Sequence, residues 1–387
     1  MDGSPPPMGV AEYYAEKTLF ITGATGFMGK AMVEKLLRCC PGIRAMYILL
    51  RPKKGVGVEE RLSNFLNNQI FDKLREKYPE NLAKLKAMAG DILEENFGLS
   101  DEHIKTLQRE CQIVFHGAAS VRFNMSLKDA VNLNIAGTYR ALRLAEGMSK
   151  LEVFVHISTS YCRSDVQVLE EKLYACRHNA HHLMELVQWM EPELLDLLQK
   201  KITLPEPNTY GYTKCIAEGL VAEYNGRGLK SVSRLVLHEN PFVEMFWFPD
   251  GTPTHSRLRH RIDAFLSHTI PAYLVDAILW CIGQPRFMVR VKQRVSMGLE
   301  MLEHYISRSW CFKNGYFMSL RQRLTPEDDR TFFTNLNDIN WMEYMNNYVL
   351  GMKYYCLKED PALLPKARKR YQRMYVAHKV FMVLRFL

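Results

Sequence analysis

Along the amino-terminal half of the chain, short runs of consecutive apolar residues alternate with stretches whose apolar positions fall three and four apart. Leu19-Phe20-Ile21 is followed by Gly23, Gly26 and Gly29, then by helical periodicity from Lys30 to Leu37. Apolar runs recur at Ala45 to Leu50, in KLKAMA before Gly90, at Gln112 to Phe115 and at Leu151 to Ile157. Runs this short, bounded by turn residues, read as buried strands, and the periodic stretches between them as helices. Residues 58–77 read as a charged helix, Ser100-Asp101-Glu102 as the start of one ending near Cys111, and Leu127 opens another containing Asn134 and Gly137. This alternation predicts a parallel sheet with right-handed crossovers, whose ligands sit beyond the carboxyl ends of the strands. Gly23, Ala118 and Thr159 fall at such ends.

Farther on, helical periodicity runs from about Val166 to Lys201, and Asn208-Thr-Tyr210-Gly-Tyr-Thr-Lys214 opens a further helix. Ile262 to Ile282 is apolar enough to draw a membrane reading, but Asp263, His268 and Asp276 oppose insertion and Pro271 interrupts it. Basic clusters on both sides fit an interfacial hairpin better than a spanning helix, and a buried helix pair is the alternative. The tail repeats the theme: a basic run from Lys366 to Arg373 precedes apolar Val380 to Leu387, as in a membrane-surface anchor.

The glycine stretch has a specific chemical use. Glycines let a backbone turn sharply and approach a pyrophosphate, whose charge then rests on the N–H groups at the start of a helix. An ordinary structural turn is the competing reading, so the strand before and the helix after carry the weight. The second strand ends in Arg51-Pro52-Lys53-Lys54, without an acid to hold a ribose 2′-hydroxyl; basic residues there suit a 2′-phosphate and hence NADPH, or form an ordinary solvated loop. After the fourth strand, His116-Gly-Ala-Ala-Ser120 supplies small residues past which a cofactor can run. Tyr210 and Lys214 lie one turn apart on one helix face, where the lysine can depress the phenol pKa and reach a ribose while the phenol gives a proton to an oxyanion. Such pairs also arise by chance; the glycine turn and the hydroxyls of Ser158, Thr159 and Ser160 distinguish this one.

Composition narrows the rest. The 387 residues, at roughly 150 per domain, allow two domains or one enlarged domain. A formal charge of +9 suits a dinucleotide, coenzyme A, an anionic membrane or nucleic acid without choosing among them, and only scattered charge supports nucleic acid. Nine cysteines without a C-x-x-C pair argue for reduced thiols in a cytosol-facing compartment. The Pro-rich start has no apolar signal core and reads as disordered. His178, His181 and His182 share helix faces but lack a Cys or acid at ligand spacing, so no metal is expected.

The chain resembles an extended short-chain dehydrogenase/reductase, and more narrowly a eukaryotic fatty acyl-CoA reductase of the male-sterility type. The resemblance rests on TGATGFMG at Thr22 to Gly29, LLRPKKG at Leu49 to Gly55, GDI at Gly90 to Ile92, VFHGAASVRF at Val114 to Phe123, HISTSYC at His156 to Cys162, LVQWM at Leu186 to Met190, and NTYGYTKCIAE at Asn208 to Glu218. In the carboxyl-terminal part it rests on ENPF, FPDGTPT, IPAYLVD, RVSMGLEMLEHY and NWMEYMNNYVLG.

The resemblance implies an α/β fold, a Rossmann-type doubly wound parallel sheet followed by a mostly helical carboxyl-terminal domain. The expected boundaries are a disordered start (1–12), an NADP-binding reductase domain (13–237), a helical domain (238–360) and a basic and apolar tail (361–387). It implies Thr159, Tyr210 and Lys214 as catalytic residues, with Ser158 or Ser160 as substitutes for the hydroxyl. Cofactor contacts are implied at Thr22, Gly23, Thr25, Gly26, Phe27, Met28, Gly29, Arg51, Lys54, Asp91, Ile92, Ala118, Ala119, Asn134, Tyr210 and Lys214. The implied reaction is two NADPH-dependent reductions of a long-chain fatty acyl-CoA, through an aldehyde, to a primary alcohol, on a cytosol-facing peroxisomal or endoplasmic reticulum membrane. One departure stands out. After the Tyr210 helix, Ser231-Val-Ser-Arg-Leu-Val-Leu runs directly into His238-Glu-Asn-Pro-Phe242, where the family continues through an Arg-Pro-containing strand and a long substrate-binding segment. Both are expected to be missing, with impaired reduction or a catalytically silent NADPH-binding protein as the consequence.

Overall fold

The apolar runs pair side by side. The computed structural model describes residues 8–52, 55–226, 231–234, 265–306, 308–333, 339–351 and 355. Strands β1 (Thr18–Thr22), β2 (Ala45–Leu50), β3 (Leu85–Ala89), β4 (Ile113–His116) and β5 (Val153–Ile157) join a later strand in one sheet, while β6 (Val168–Leu169) lies outside it. That later strand is β7 (Ser231–Arg234), and the sheet order is β3-β2-β1-β4-β5-β7. Every pairing is parallel. This is the doubly wound arrangement, with the strand order reversing between β1 and β4.

Alternation along β1 sends Leu19 and Ile21 to one face and Phe20 to the other. On the first face they meet Val33, Leu36 and Leu37 of the Phe27–Cys39 helix and Phe65 and Phe71 beyond it. On the second, Phe20, Val114 and Phe154 meet Leu142, Ile216 and Tyr224 from the Gly137–Glu146 and Thr209–Gly226 helices. Burial on both faces is why these strands are written as continuous apolar runs.

Two expectations are corrected. A sheet strand beyond β5 is present: Ser231 to Arg234 pair with Phe154 to Ile157, because a parallel strand needs one hydrogen-bonded neighbour and four residues suffice, while the stretch from 235 to 264 lies outside the described residues. Residues 166–179 are not helical. Val168 and Leu169 instead pair with β8 (Cys311–Phe312), the Glu171 carboxylate accepts from the Tyr316 and Phe317 N–H groups, and helix begins only at Ala180, capped by Asn179. Helices Ala180–Trp189 and Pro192–Thr203 fill the rest of that stretch.

By contacts the chain divides into two units, residues 1–238 with 301–334, and residues 239–300 with 335–387. Residues 301–334 therefore belong to the unit that holds the sheet. Of the amino-terminal dozen, Val10–Tyr13 make one helical turn, and residues 1–7 lie outside the described residues. In the second unit, Asp276 accepts from the N–H groups of Phe287, Met288 and Val289 at 2.8–3.0 Å. The acid that interrupts the apolar stretch thus caps the helix that follows it, closing a helical hairpin. The Ile270–Cys281 helix has 12 residues, about 18 Å against a hydrocarbon core of about 30 Å. Among the described residues no helix is long and apolar enough to cross a membrane.

Two histidines lie within the sheet. His116 of β4 and His156 of β5 are fully buried and stack with ring centroids 5.6 Å apart. The Thr138 hydroxyl donates to the Asn134 carbonyl, so His116 Nε2–H donates to Thr138, leaving Nδ1 to accept from the Thr22 hydroxyl. Burial first, and the Lys214 charge second, pull His116 down to about 3 and hold His156 well below its ordinary value. Both stay neutral in the fold while the unfolded chain takes up protons below about 6.5. Stability contributed by these groups is therefore complete above pH 6.5 and lost as pH falls toward the folded values. Each should cost about 2 kcal/mol by pH 5. Urea unfolding at pH 7 and pH 5 checks this: His156→Leu should show a visibly smaller acid loss than the unaltered chain, and identical losses would remove the argument.

Candidate active site

The site is assembled at the carboxyl ends of β1, β4 and β5. After β1 the chain turns at Gly23, with φ +76°, and a side-chain carbon there would lie 2.6 Å from Ala118 N and the Gly117 carbonyl carbon. At Gly29 a Cβ would overlap the Gly23 carbonyl oxygen and Ala24, so this first helical turn packs directly on the strand-end turn. Gly26 begins the Phe27–Cys39 helix without a side-chain cap. Thr25, Gly26, Phe27 and Met28 are exposed there. A helix start with no capping side chain, reached through an exposed glycine turn, has the donor set and the room for a pyrophosphate.

Thr22 itself is occupied within the protein: its hydroxyl donates to His116 and accepts from Ala118 N–H at 3.2 Å. It is a tie between β1 and β4. Arg51, largely exposed after β2, lies 3.9 Å from the Asp91 carboxylate, which follows β3 and also accepts from Leu93 N–H. Arg51 thus has an acidic neighbour from the end of β3, although the end of β2 itself carries none. Ile92 is buried against Gly137, and Ala118 and Ala119 line the loop after β4. Lys54 lies outside the described residues.

Asn134, buried in a π-helical stretch from Val131 to Ala136, uses its whole amide. Its Oδ1 accepts from Ser120 N–H, and its Nδ2 donates to the Ser120 carbonyl and to the Thr213 hydroxyl at 3.0 Å. It fastens the loop after β4 to the helix that carries Tyr210.

Thr159, Tyr210 and Lys214 come together. Thr159 lies beside the Tyr210 phenol, whose pKa it lowers, and its Oγ1 accepts from Tyr161 N–H at 3.3 Å. Ser158 faces Glu218 instead, and Ser160 is fully buried, so of the three hydroxyls Thr159 meets the phenol. Lys214 is buried and donates to the Ile157 carbonyl at the end of β5, 2.7 Å away. Burial lowers its pKa to about 8, with Glu218 and then Cys162 pulling it back up. The Tyr210 phenol departs from expectation: burial raises its pKa, Thr159 lowers it and Cys162 raises it, and the Lys214 charge does not depress it. The lysine is spent on β5, one turn below the phenol.

Several residues around the trio had no role read from sequence. Phe123 stacks on Tyr210 with centroids 5.7 Å apart, and Tyr305, Tyr161 and Trp310 extend this aromatic group. All but Trp310 sit inside the phrases that carried the resemblance, but an aromatic residue by itself announces no partner. Glu206 is buried, held by the Ser164 hydroxyl at 2.6 Å and raised to about 7, chiefly by burial. His178 bonds the Tyr212 hydroxyl and His181 pairs with Glu223, and among the described residues no group of side chains is arranged to hold a metal.

An NAD-binding family model described as male sterility protein matches residues 21–237, and a second one, of the same description, matches residues 267–359. Fatty acyl-CoA reductase 2 of Mus musculus is 28% identical over 473 positions, covering 98% of this chain and 92% of the relative. Fatty acyl-CoA reductase 1 of Gallus gallus is 30% identical over 461 positions, covering 94% and 89%. Among solved structures, the terminal R domain from the myxalamid PKS-NRPS biosynthetic pathway aligns with a TM-score of 0.40 and 24% identity, over 59% of this chain and 50% of that one. An alignment of 473 positions exceeds the 387 residues available, so the mouse relative has many positions without a counterpart here. A doubly wound sheet with a glycine turn at β1 and a Thr-Tyr-Lys group at β5, matched by these models over most of its length, makes this chain a member of the male sterility protein family, an oxidoreductase of Rossmann fold that takes a nicotinamide cofactor.

Proposed function

We propose that this protein reduces a long-chain fatty acyl-CoA, through the aldehyde, to a primary alcohol with NADPH. The observation that carries the chemistry is the Tyr210 phenol beside Thr159, with Lys214 buried one helical turn away. The substrate class comes from the named activity of the relatives. When bound, the cofactor supplies hydride, one equivalent for each of the two reductions. Thr159 offers its hydroxyl to the substrate carbonyl oxygen and Tyr210 protonates that oxygen as negative charge gathers on it. A phenol held above its ordinary pKa by burial keeps its proton at neutral pH and so arrives loaded as an acid. In the first reduction the tetrahedral product returns its hydroxyl proton to the Tyr210 phenolate as the thiolate of coenzyme A leaves, giving the aldehyde. In the second, the aldehyde takes hydride and proton to become the alcohol.

Preference for NADPH is supported by exposed Arg51 at the end of β2. Placement on a cytosol-facing membrane, peroxisomal or endoplasmic reticulum, is supported by the apolar face that the Ile270–Cys281 helix leaves exposed at Tyr273, Leu274, Ile278 and Trp280. The basic tail from Lys366 that completed this reading lies outside the described residues.

Mass spectrometry of products formed from a long-chain acyl-CoA and NADPH tests the activity. Alcohol should appear with the unaltered chain and fall about 10² to 10⁴-fold with Tyr210→Phe, while NADPH affinity stays nearly constant. An equally active Tyr210→Phe protein would sink the mechanism. For the cofactor, fluorescence titration should show NADPH bound more tightly than NADH, with Arg51→Ala erasing about 1.5–3 kcal/mol of that difference. Equal affinities for the two would remove the preference. The positions absent relative to the family bear on rate: restoring the family's substrate-binding segment between about Arg227 and His238 should raise turnover, and an unchanged rate would make that segment dispensable.

A further inference from the structure

One side chain far along the sequence touches three residues that flank the catalytic pair. Tyr305 is buried, and its hydroxyl accepts from Asn208 Nδ2 at 2.9 Å. The other end of the same amide, Asn208 Oδ1, accepts from Gly211 N–H at 2.9 Å. Asn208 is thus the cap of the helix whose second residue is Tyr210, and Tyr305 holds it in its capping rotamer. The Tyr305 ring lies 5.6 Å from Phe123, which stacks on Tyr210 at an interplanar angle of 26°. The same ring meets Tyr161 at 4.6 Å, and Tyr161 N–H is the donor to Thr159 Oγ1.

We infer that Tyr305 is a positioning residue for the reduction, acting through Asn208 and Phe123 on Tyr210 and through Tyr161 on Thr159. This rests on the reductase reading above. The three contacts converge from the loop after β4, the loop after β5 and the start of the Tyr210 helix. The Asn134 amide already ties the loop after β4 to the helix, and the Tyr305 ring adds the loop after β5, with packed rings holding side chains more tightly than loop backbone does. An aromatic residue with a polar tip meets both needs, since its ring packs on Phe123 and Tyr161 and its hydroxyl satisfies the buried amide of Asn208. Leucine meets neither, and phenylalanine meets the first.

Steady-state kinetics on the full chain separate positioning from binding. Tyr305→Leu should lower kcat about tenfold or more, because a shift of the order of 1 Å at a proton donor is felt strongly in rate. The KM for NADPH should stay within about twofold, since no cofactor-side residue is touched. Tyr305→Phe should recover most of the lost kcat. An unchanged kcat in Tyr305→Leu overturns the inference, as does an unchanged kcat with a raised KM for acyl-CoA, which would make Tyr305 a substrate contact. Amide hydrogen exchange decides the matter without turnover. Tyr305→Phe should speed exchange at Gly211, whose acceptor is released, and leave Tyr161 slow; unchanged protection at Gly211 would show that Asn208 is not held by Tyr305. A chain that makes no alcohol yet shows this exchange pattern would leave the positioning contact standing and remove the reductase reading alone.

Discussion

The site depends on a chain of hydrogen bonds buried at the point where the strand order reverses. Ala118 N–H and His116 meet on the Thr22 hydroxyl, His116 passes the chain to Thr138, and Thr138 closes on the Asn134 carbonyl. From there the Asn134 amide reaches Thr213, whose hydroxyl donates to the Thr209 carbonyl in the first turn of the Tyr210 helix. The path runs from the end of β1 to the first turn of the helix that carries Tyr210. In a low-dielectric interior, breaking any member leaves a buried group unpaired, at a cost of about 1–3 kcal/mol, so the geometry at both ends is held together. The neutrality of His116 is part of this: a charged imidazole would need a second acceptor where Thr22 must donate.

Burial also sets the electrostatics. Lys214 remains mostly protonated at neutral pH although its pKa has dropped to about 8, because Glu218 and Cys162 oppose the loss of solvent. Glu218 in turn is raised by burial, with Ser158, Cys162 and Lys214 acting against it. The cluster is one in which each group's ionisation is partly conditioned by the others. Phe123 and Thr159 flank the phenol, and Cys162 links it to the same cluster by raising its pKa.

The sheet was legible because strands buried on both faces must be apolar at successive positions, and the helices between them must show a 3.6-residue period. The glycine turn was legible for a steric reason, since Gly23 and Gly29 have backbone atoms where a side chain would stand. Tyr210, Lys214 and Thr159 could be named from spacing and strand ends. What spacing could not give was the use made of polar side chains. Thr22 and Asn134 look like ligand contacts in sequence and are spent on neighbouring segments, and Asp276 looks like an obstacle to burial and is a helix cap. The stretch from 166 to 179 misled because its apolar residues have helical spacing, whereas pairing with residues 311–312 and bonds to Glu171 decide its backbone. Such contacts across more than a hundred residues leave no local trace.

The same contacts say what a shorter family member retains. Among the described residues, the partners that orient Thr159, Tyr210 and Lys214 are Phe123, Asn134, Ile157, Tyr161, Asn208 and Thr213, with Tyr305 behind them. Six of these precede the end of the Thr209–Gly226 helix, and Tyr305 returns from the carboxyl-terminal half to the unit that holds the sheet. The outer strand β7 is in register with β5, so the sheet that backs the site is closed to its sixth strand. Proton transfer is a matter of distances within this set, whereas recognition of a long acyl chain needs additional apolar surface extending away from it. A family member that lacks residues outside the set loses surface for the substrate before it loses the acid that acts on it, and the two losses fall on different kinetic constants: KM and chain-length preference first, proton donation last.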